Sequence, residues 1–378
     1  MKNIPLRSVF AVLLLCILAL PAFSQSENKF RVLSYYSGPP DPLESYDVTK
    51  MTHIIFCFGR LSGNNFKIRS ARDTATIKKM VSLKSKNPDL KVLISLGGWG
   101  GCQTCSDVFA TKVGRKEFAQ SIKEVYDYFK VDGLDLDWEY PTVSGFPGHK
   151  YSPGDKKNFT KLVNELRKLG DNYELSFAAG ASKRYLDSAV QWKKVMKKVD
   201  YVNLMTYDMS GAGSKITAHH TGLYSTPQQP RSGDFTVKYL INLGIPAEKI
   251  VLGGAFYGKI FENVENVNNG LYQPGKYKNT VNYKNVDIEL SADSGWVSHW
   301  DDIAKAPFLY NPTKKQFFTY DDKHSIELKT KYVVDNKLGG IMYWHLGQDV
   351  LKDGLLYTID RVKKTHHIIN DNLRAKEQ

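Results

Sequence analysis

The stretch Val131-Asp132-Gly133-Leu134-Asp135-Leu136-Asp137-Trp138-Glu139-Tyr140-Pro141 decides the fold. Successive side chains of a strand point to opposite faces, so Asp135, Asp137 and Glu139 share one face and Leu134, Leu136, Trp138 and Tyr140 the other. Same-face neighbours stand roughly 6–7 Å apart. Two leucines and a tryptophan between the acids demand burial, which excludes a solvated acidic face. An EF-hand calcium loop is excluded because Tyr140, not glycine, stands at the sixth position from Asp135. A strand with one apolar and one acidic face fits a closed parallel barrel. There the apolar side packs on surrounding helices, and the acids point inward and rise toward the carboxyl-terminal end.

The neighbouring sequence supports the barrel. Apolar strand candidates recur at Phe30–Tyr36, His53–Phe58, Lys91–Gly97, Gly133–Trp138, Glu174–Ala179, Tyr201–Met205, Ile250–Tyr257 and Gly340–Trp344. Most are continuous apolar runs, as expected of parallel strands buried on both faces. Helical patterns fall between them at Thr74–Ser85, Arg115–Phe129, Lys156–Leu169, Ala189–Val199, Thr236–Leu243 and Ile326–Asn336, and after them at Leu355–Thr365. This alternation predicts an α/β fold, a (β/α)8 TIM barrel. The catalytic barrel is expected over 25–258 and 330–365, with a polar tail at 366–378. Residues 259–329 are too many for one connection and are rich in Asn, Tyr and Phe. They predict a small α+β insertion between the seventh and eighth strands.

At the amino terminus, Lys2 and Arg7 precede the apolar run Val9–Leu20 and the small-x-small sequence Ala22-Phe23-Ser24. The run is short for a membrane span, so residues 1–24 predict a signal peptide cleaved after Ser24 and a secreted protein, extracellular or periplasmic. Of the four cysteines, Cys57 lies in an apolar strand and reads as core, while Cys102 and Cys105 either staple a local loop or remain free thiols. The net charge of +13 comes from lysines spread over helices rather than from a phosphate-tracking block, so no nucleic-acid partner is expected. No integral membrane contact is expected either, and a monomer is.

Three stacked carboxylates in a barrel cannot all ionise cheaply, because burial and mutual repulsion both favour the protonated form. Glu139, the highest, is the natural proton donor; Asp137 shares or relays the proton and Asp135 holds it deeper. A protonated carboxyl beside an ionised one is what acid catalysis of glycoside cleavage requires.

Asp132-Gly133-Leu134-Asp135-Leu136-Asp137-Trp138-Glu139 resembles the D-x-x-D-x-D-x-E signature of family 18 glycoside hydrolases, the chitinase family. Ser95-Leu96-Gly97-Gly98-Trp99 resembles the family's S-x-G-G motif, and Met205-Thr206-Tyr207-Asp208 its M-x-Y-D motif. Trp344 stands where the family places the tryptophan flooring the cleaved-sugar site, and Trp300 to Asn311 resembles part of its insertion domain. The resemblance covers about Phe30 to Thr365.

It implies a chitinase acting on chitin or N-acetylated chito-oligosaccharides by a retaining, substrate-assisted mechanism, without metal or cofactor. Glu139 is then the acid and base, Asp137 orients the acetamido group, Asp135 assists Asp137, and Tyr207 donates to the acetamido oxygen. Asp208, Met205, Trp344, Trp99, Tyr35, Phe58 and Tyr140 are the implied substrate-binding set, with core packing the competing role for the aromatics. The chain departs from the family's G-x-P-x-Y-G-R pattern at Gly253-Gly254-Ala255-Phe256-Tyr257-Gly258-Lys259, and Gly213 replaces a tryptophan common after M-x-Y-D. His219 and His220, in the same loop, read as plain surface or loop residues rather than metal ligands. Two other functions compete: a non-catalytic chitin-binding lectin, which would lack the acid at Glu139, and an endo-acting enzyme releasing N-glycans.

Overall fold

A computed structural model describes residues 30–377, with side chains to residue 366. The expected signal peptide lies outside the described residues. The strands are, in chain order, β1 (Arg31–Tyr36), β2 (His53–Ser62), β3 (Asn65–Lys67), β4 (Lys91–Gly97), β5 (Gly133–Asp137), β6 (Glu174–Gly180), β7 (Tyr201–Met205), β8 (Ile250–Ala255), β9 (Tyr257–Glu262), β10 (Lys276–Asn282), β11 (Val297–Asp301), β12 (Ala306–Asn311), β13 (Gln316–Thr319) and β14 (Gly340–Trp344). The order β1-β14-β8-β7-β6-β5-β4-β2 is parallel throughout, and β1 pairs with β2 to close the barrel. The chain is the (β/α)8 TIM barrel that its strand–helix alternation predicts.

Two apolar layers hold the barrel. Leu134, Leu136 and Trp138 join the large cluster between strands and helices, whereas Leu33, Ile55, Leu93, Val251 and Met342 fill the interior. Glycines set two close strand approaches. A Cβ on Gly133 would meet the carbonyl of Glu174 at 2.2 Å, and one on Gly97 that of Asp137 at 2.1 Å.

Capping explains where two helices differ from expectation. One starts at Lys112 rather than Arg115 because the Thr111 hydroxyl accepts the Gly114 amide. The helix expected over Ala189–Val199 is instead two short ones, Lys183–Ser188 and Trp192–Val195. Ser182 caps the first by accepting the Tyr185 amide, and the Trp192 indole closes on the carbonyl of Leu186 at 2.7 Å. The last helix runs from Leu355 to Glu377, past the expected end at Thr365.

After β8 the chain passes directly into β9, the second strand of an antiparallel sheet ordered β10-β9-β13-β12-β11. Ile260, Leu309 and Phe318 pack on one of its faces, and Phe261, Phe308 and Phe317 on the other. The insertion therefore has its own two-sided core. A buried ion pair ties it to the barrel: Lys329 donates to Asp321 at 2.6 and 2.8 Å and to Thr221 at 2.6 Å, and Asp321 also accepts the Ala255 amide at the end of β8.

Candidate active site

Strand register builds the site from below. Ser95 on β4 and Ser176 on β6 lie level with Asp135 on β5, so both hydroxyls point at its carboxylate. Their distances to Asp135 are 2.8 and 2.7 Å, and Tyr35 and Asn203 donate to it at 3.1 and 3.2 Å. Burial pushes the Asp135 carboxyl up, and these four hydrogen bonds pull it back. Two residues higher, Asp137 lies level with Gly97, which has no side chain to offer. Its Oδ1 is buried without a hydrogen-bond partner among the described residues. Burial, then the charges of Glu139 and Asp135, push Asp137 well above the usual carboxylate range, and Arg60 opposes this. Asp137 is therefore the harder of the two to ionise, while the hydrogen-bonded Asp135 carries charge at less cost.

Glu139 stands two residues beyond the end of β5 and is buried, and burial lifts its carboxyl to about 7. The Asp208 charge adds to the rise and the Tyr140 hydroxyl opposes it. The group is thus a proton donor below neutral pH and a base above it, the poise general acid–base chemistry needs. Tyr140 packs its ring on the helix-side core, as alternation predicts, and edge-on to Tyr185 at 5.3 Å, with its hydroxyl toward Glu139.

The other expected residues surround these acids. Tyr207 is buried, 3.9 Å from the Met342 sulfur, and burial keeps its phenol a donor. Trp344 lies parallel to Phe58 at 5.5 Å and 14° and tilted to Tyr35 at 6.0 Å; Met205 packs beside this group, partly buried. Tyr35 is 2% exposed and its hydroxyl bridges Asp135 and Asn203, so it acts beneath the cleft rather than as a sugar platform. Trp99 is 58% exposed at the mouth of the barrel, edge-on to Phe146 at 5.7 Å.

Asp208 closes the far side. It sits at φ 55°, a left-handed conformation that aspartate tolerates better than most residues. Its Oδ1 accepts from the Tyr257 hydroxyl and from Lys259 Nζ, each at 2.6 Å. Burial pushes its carboxyl up, but the neighbouring His220 ring and Lys259 ammonium outweigh that and hold it well below the usual range.

Ser176, Asn203, Arg60 and Lys259 were not expected at the site. The first two carry a sequence signal, single polar residues inside apolar strands. Arg60 reaches back across the sheet to the Gly97 carbonyl, and its guanidinium lies 5.5 Å from the Phe58 ring.

One expectation needs correction. His219 and His220 are 1% and 0% exposed, not surface residues, because the insertion sheet covers their loop. His219 pairs with Asp301 at 2.9 Å and His220 donates to the Tyr257 carbonyl at 3.1 Å. No cluster of metal-ligating residues occurs among the described residues. Cys102 and Cys105 are joined as a disulfide, and Cys57 is a buried free thiol.

The model of the glycosyl hydrolases family 18 matches residues 25–349. Chitinase A1 of Niallia circulans is 31% identical over 87% of this chain and 58% of its own length, and Chitinase B of Serratia marcescens 29% identical over 87% and 83%. The chain thus spans well under two thirds of Chitinase A1. Among solved structures, a family 18 N-acetylglucosaminidase from Paenibacillus barengoltzii superposes with a TM-score of 0.81 at 35% identity, covering 88% of this chain and 99% of that one. With a matching family model over most of its length and the acid-lined strand in place, this chain belongs to family 18 of the glycosyl hydrolases.

Proposed function

We propose that the chain is a secreted chitinase that hydrolyses β-1,4 bonds between N-acetylglucosamine units of chitin and chito-oligosaccharides, with retention of configuration. The observation that carries this reading is the order of the acids along one strand: hydrogen-bonded Asp135, unpartnered Asp137, then Glu139 poised near neutrality. A carboxylate nucleophile would have to face the acid across the sugar, roughly 5 Å away. The other acid at the rim, Asp208, is already held by Lys259 and Tyr257. As membership of family 18 implies, the nucleophile is the substrate's acetamido oxygen. Glu139 gives its proton to the glycosidic oxygen, and the C1–O bond breaks as the acetamido oxygen bonds to C1, forming an oxazolinium ion. With its proton passed to Asp135, Asp137 accepts the acetamido N–H as a carboxylate and offsets the positive charge, and the Tyr207 hydroxyl fixes the acetamido oxygen. Water then attacks C1, the C1–O bond to the acetamido oxygen breaks to restore the acetamide, and Glu139 takes the proton from the water.

The Phe58–Trp344 stack offers an apolar floor for the sugar ring, and Trp99 a platform at the mouth. Export rests on the amino-terminal charged and apolar run ending at Ser24, and the protein acts as a monomer. No helix among the described residues is long and apolar enough to cross a membrane.

The test is early-time, anomer-resolved product analysis on a soluble chito-oligosaccharide. β-Anomeric products are expected, and Glu139→Gln should lower turnover by about 10²–10⁴-fold while binding persists. Unchanged hydrolysis in that variant rejects the assignment. Binding without cleavage by the parent protein points to a lectin. Release of single sugars alone points to an N-acetylglucosaminidase, the activity named for the Paenibacillus relative.

A further inference from the structure

Beyond the loop that carries His219 and His220, the insertion sheet holds an open pocket of about 450 Å³. Its base is the buried Leu271 and Phe308, with Tyr272 fixed by a 2.8 Å hydrogen bond between its hydroxyl and Thr226. His299 lies on Phe308 at 5.1 Å and 25°, and Trp300 lines the edge beside it. The exposed amide of Gln228 stands at the rim.

The chemistry of the lining selects a ligand class. No lysine or arginine lines the pocket, so nothing there attracts an anion. Burial pushes the His299 imidazole below its usual range and so disfavours its charged form. Both carboxylates at the pocket are already occupied. Asp301 holds His219 and accepts the Ile303 and Ala304 amides, and Asp302 accepts the Trp300 indole and pairs with Lys305. Aromatic surface combined with amide and imidazole hydrogen bonding and little free charge suits an uncharged sugar ring, which is apolar on its faces and polar at its edge.

The pocket also has a fixed relation to the cleft. His299, Phe308, Thr319 and Lys259 are successive register partners across β11, β12, β13 and β9, so their side chains share one face of the sheet. Lys259, which holds Asp208 in the cleft, is therefore three strands from His299, roughly 14 Å. A second sugar site here would be rigidly coupled to the catalytic one.

We propose that this pocket binds uncharged N-acetylglucosamine units of the polymer and anchors the enzyme on its substrate outside the cleft. The proposal rests on the chitinase reading and adds a site to it. The probes are chitohexaose, titrated into the full chain carrying Glu139→Gln, and insoluble chitin, for depletion of that protein from solution. Two sites are expected. His299→Ala, and separately Gln228→Ala on the exposed rim, should weaken the second by about tenfold, or about 1.4 kcal/mol. Both should lower retention on insoluble chitin. With Glu139 intact, both variants should keep the parent kcat/KM on chitotetraose, which shows that they fold. A single site in the parent titration, or equal retention of parent and both variants, overturns the proposal. Failure of the intact protein to cleave chitotetraose would reject the chitinase reading alone, because the two-site titration does not depend on turnover.

Discussion

Replacing Lys259 with methionine tests how the rim of the site is held. In the structure its ammonium lies 2.6 Å from Asp208 Oδ1, and Tyr257 supplies the other close donor, also at 2.6 Å. A hydrogen bond to a charged group contributes about 1.5–3 kcal/mol. The Asp208 side chain is 55% exposed, so solvent screening reduces this to about 1 kcal/mol or slightly more. At 1.36 kcal/mol per pKa unit, Lys259→Met should raise the Asp208 carboxyl by roughly one unit. The sign follows from the charge: Lys259 favours the carboxylate, so its loss makes the proton harder to remove.

If Asp208 binds substrate as an anion, the acid limb of kcat/KM on a soluble chito-oligosaccharide should move to higher pH by about one unit. In an Asp208→Asn background the same substitution should leave the acid limb where it is and give a coupling energy of about 1 kcal/mol in a double-mutant cycle. An acid limb that stays in place, or the same shift in the Asp208→Asn background, would refute the assignment of Lys259 as the residue that positions and charges Asp208.

Other predictions concern protonation and stability. With Glu139 lifted to about 7, kcat/KM should fall as pH rises through neutrality and the acid loses its proton. Asp208→Asn removes a charge that raises Glu139, so it should move this alkaline limb to lower pH; a shift upward would contradict the arrangement. Ser176→Ala removes a 2.7 Å donor from fully buried Asp135 and should cost about 1–3 kcal/mol of stability, read as a lower urea midpoint at unchanged slope. Lys329→Ala leaves the Asp321 carboxylate buried and uncompensated at the junction of barrel and insertion, and should cost about 3–5 kcal/mol in the same assay.

What could be read from the sequence was whatever depends on neighbours along the chain. Strands β4, β7 and β14 have the ends predicted for them, because their apolar runs are bounded on both sides by polar or turn residues. The acid face of β5 followed from alternation alone. The environment of each acid did not, because it is set across the sheet. Ser95, Asp135 and Ser176 come level only through the register of β4, β5 and β6, and nothing local to Asp137 shows that its level partner is a glycine. That difference separates a hydrogen-bonded carboxylate from one that is costly to ionise.

The same limit explains His219 and His220. Their loop is rich in small and polar residues and gives no local sign of burial. Their partners are supplied by the insertion: Asp301 lies 82 positions after His219, and Tyr257 lies 37 after His220. Lys259 belongs to the same case. Its sequence marks a departure from the family pattern, but only the exit of β8 straight into β9 brings its ammonium over Asp208. The insertion therefore acts on the site itself. It buries the loop behind Asp208 and supplies the charge that keeps this aspartate ionised, so variants that loosen the sheet should disturb the acid limb of the pH profile even without touching the barrel.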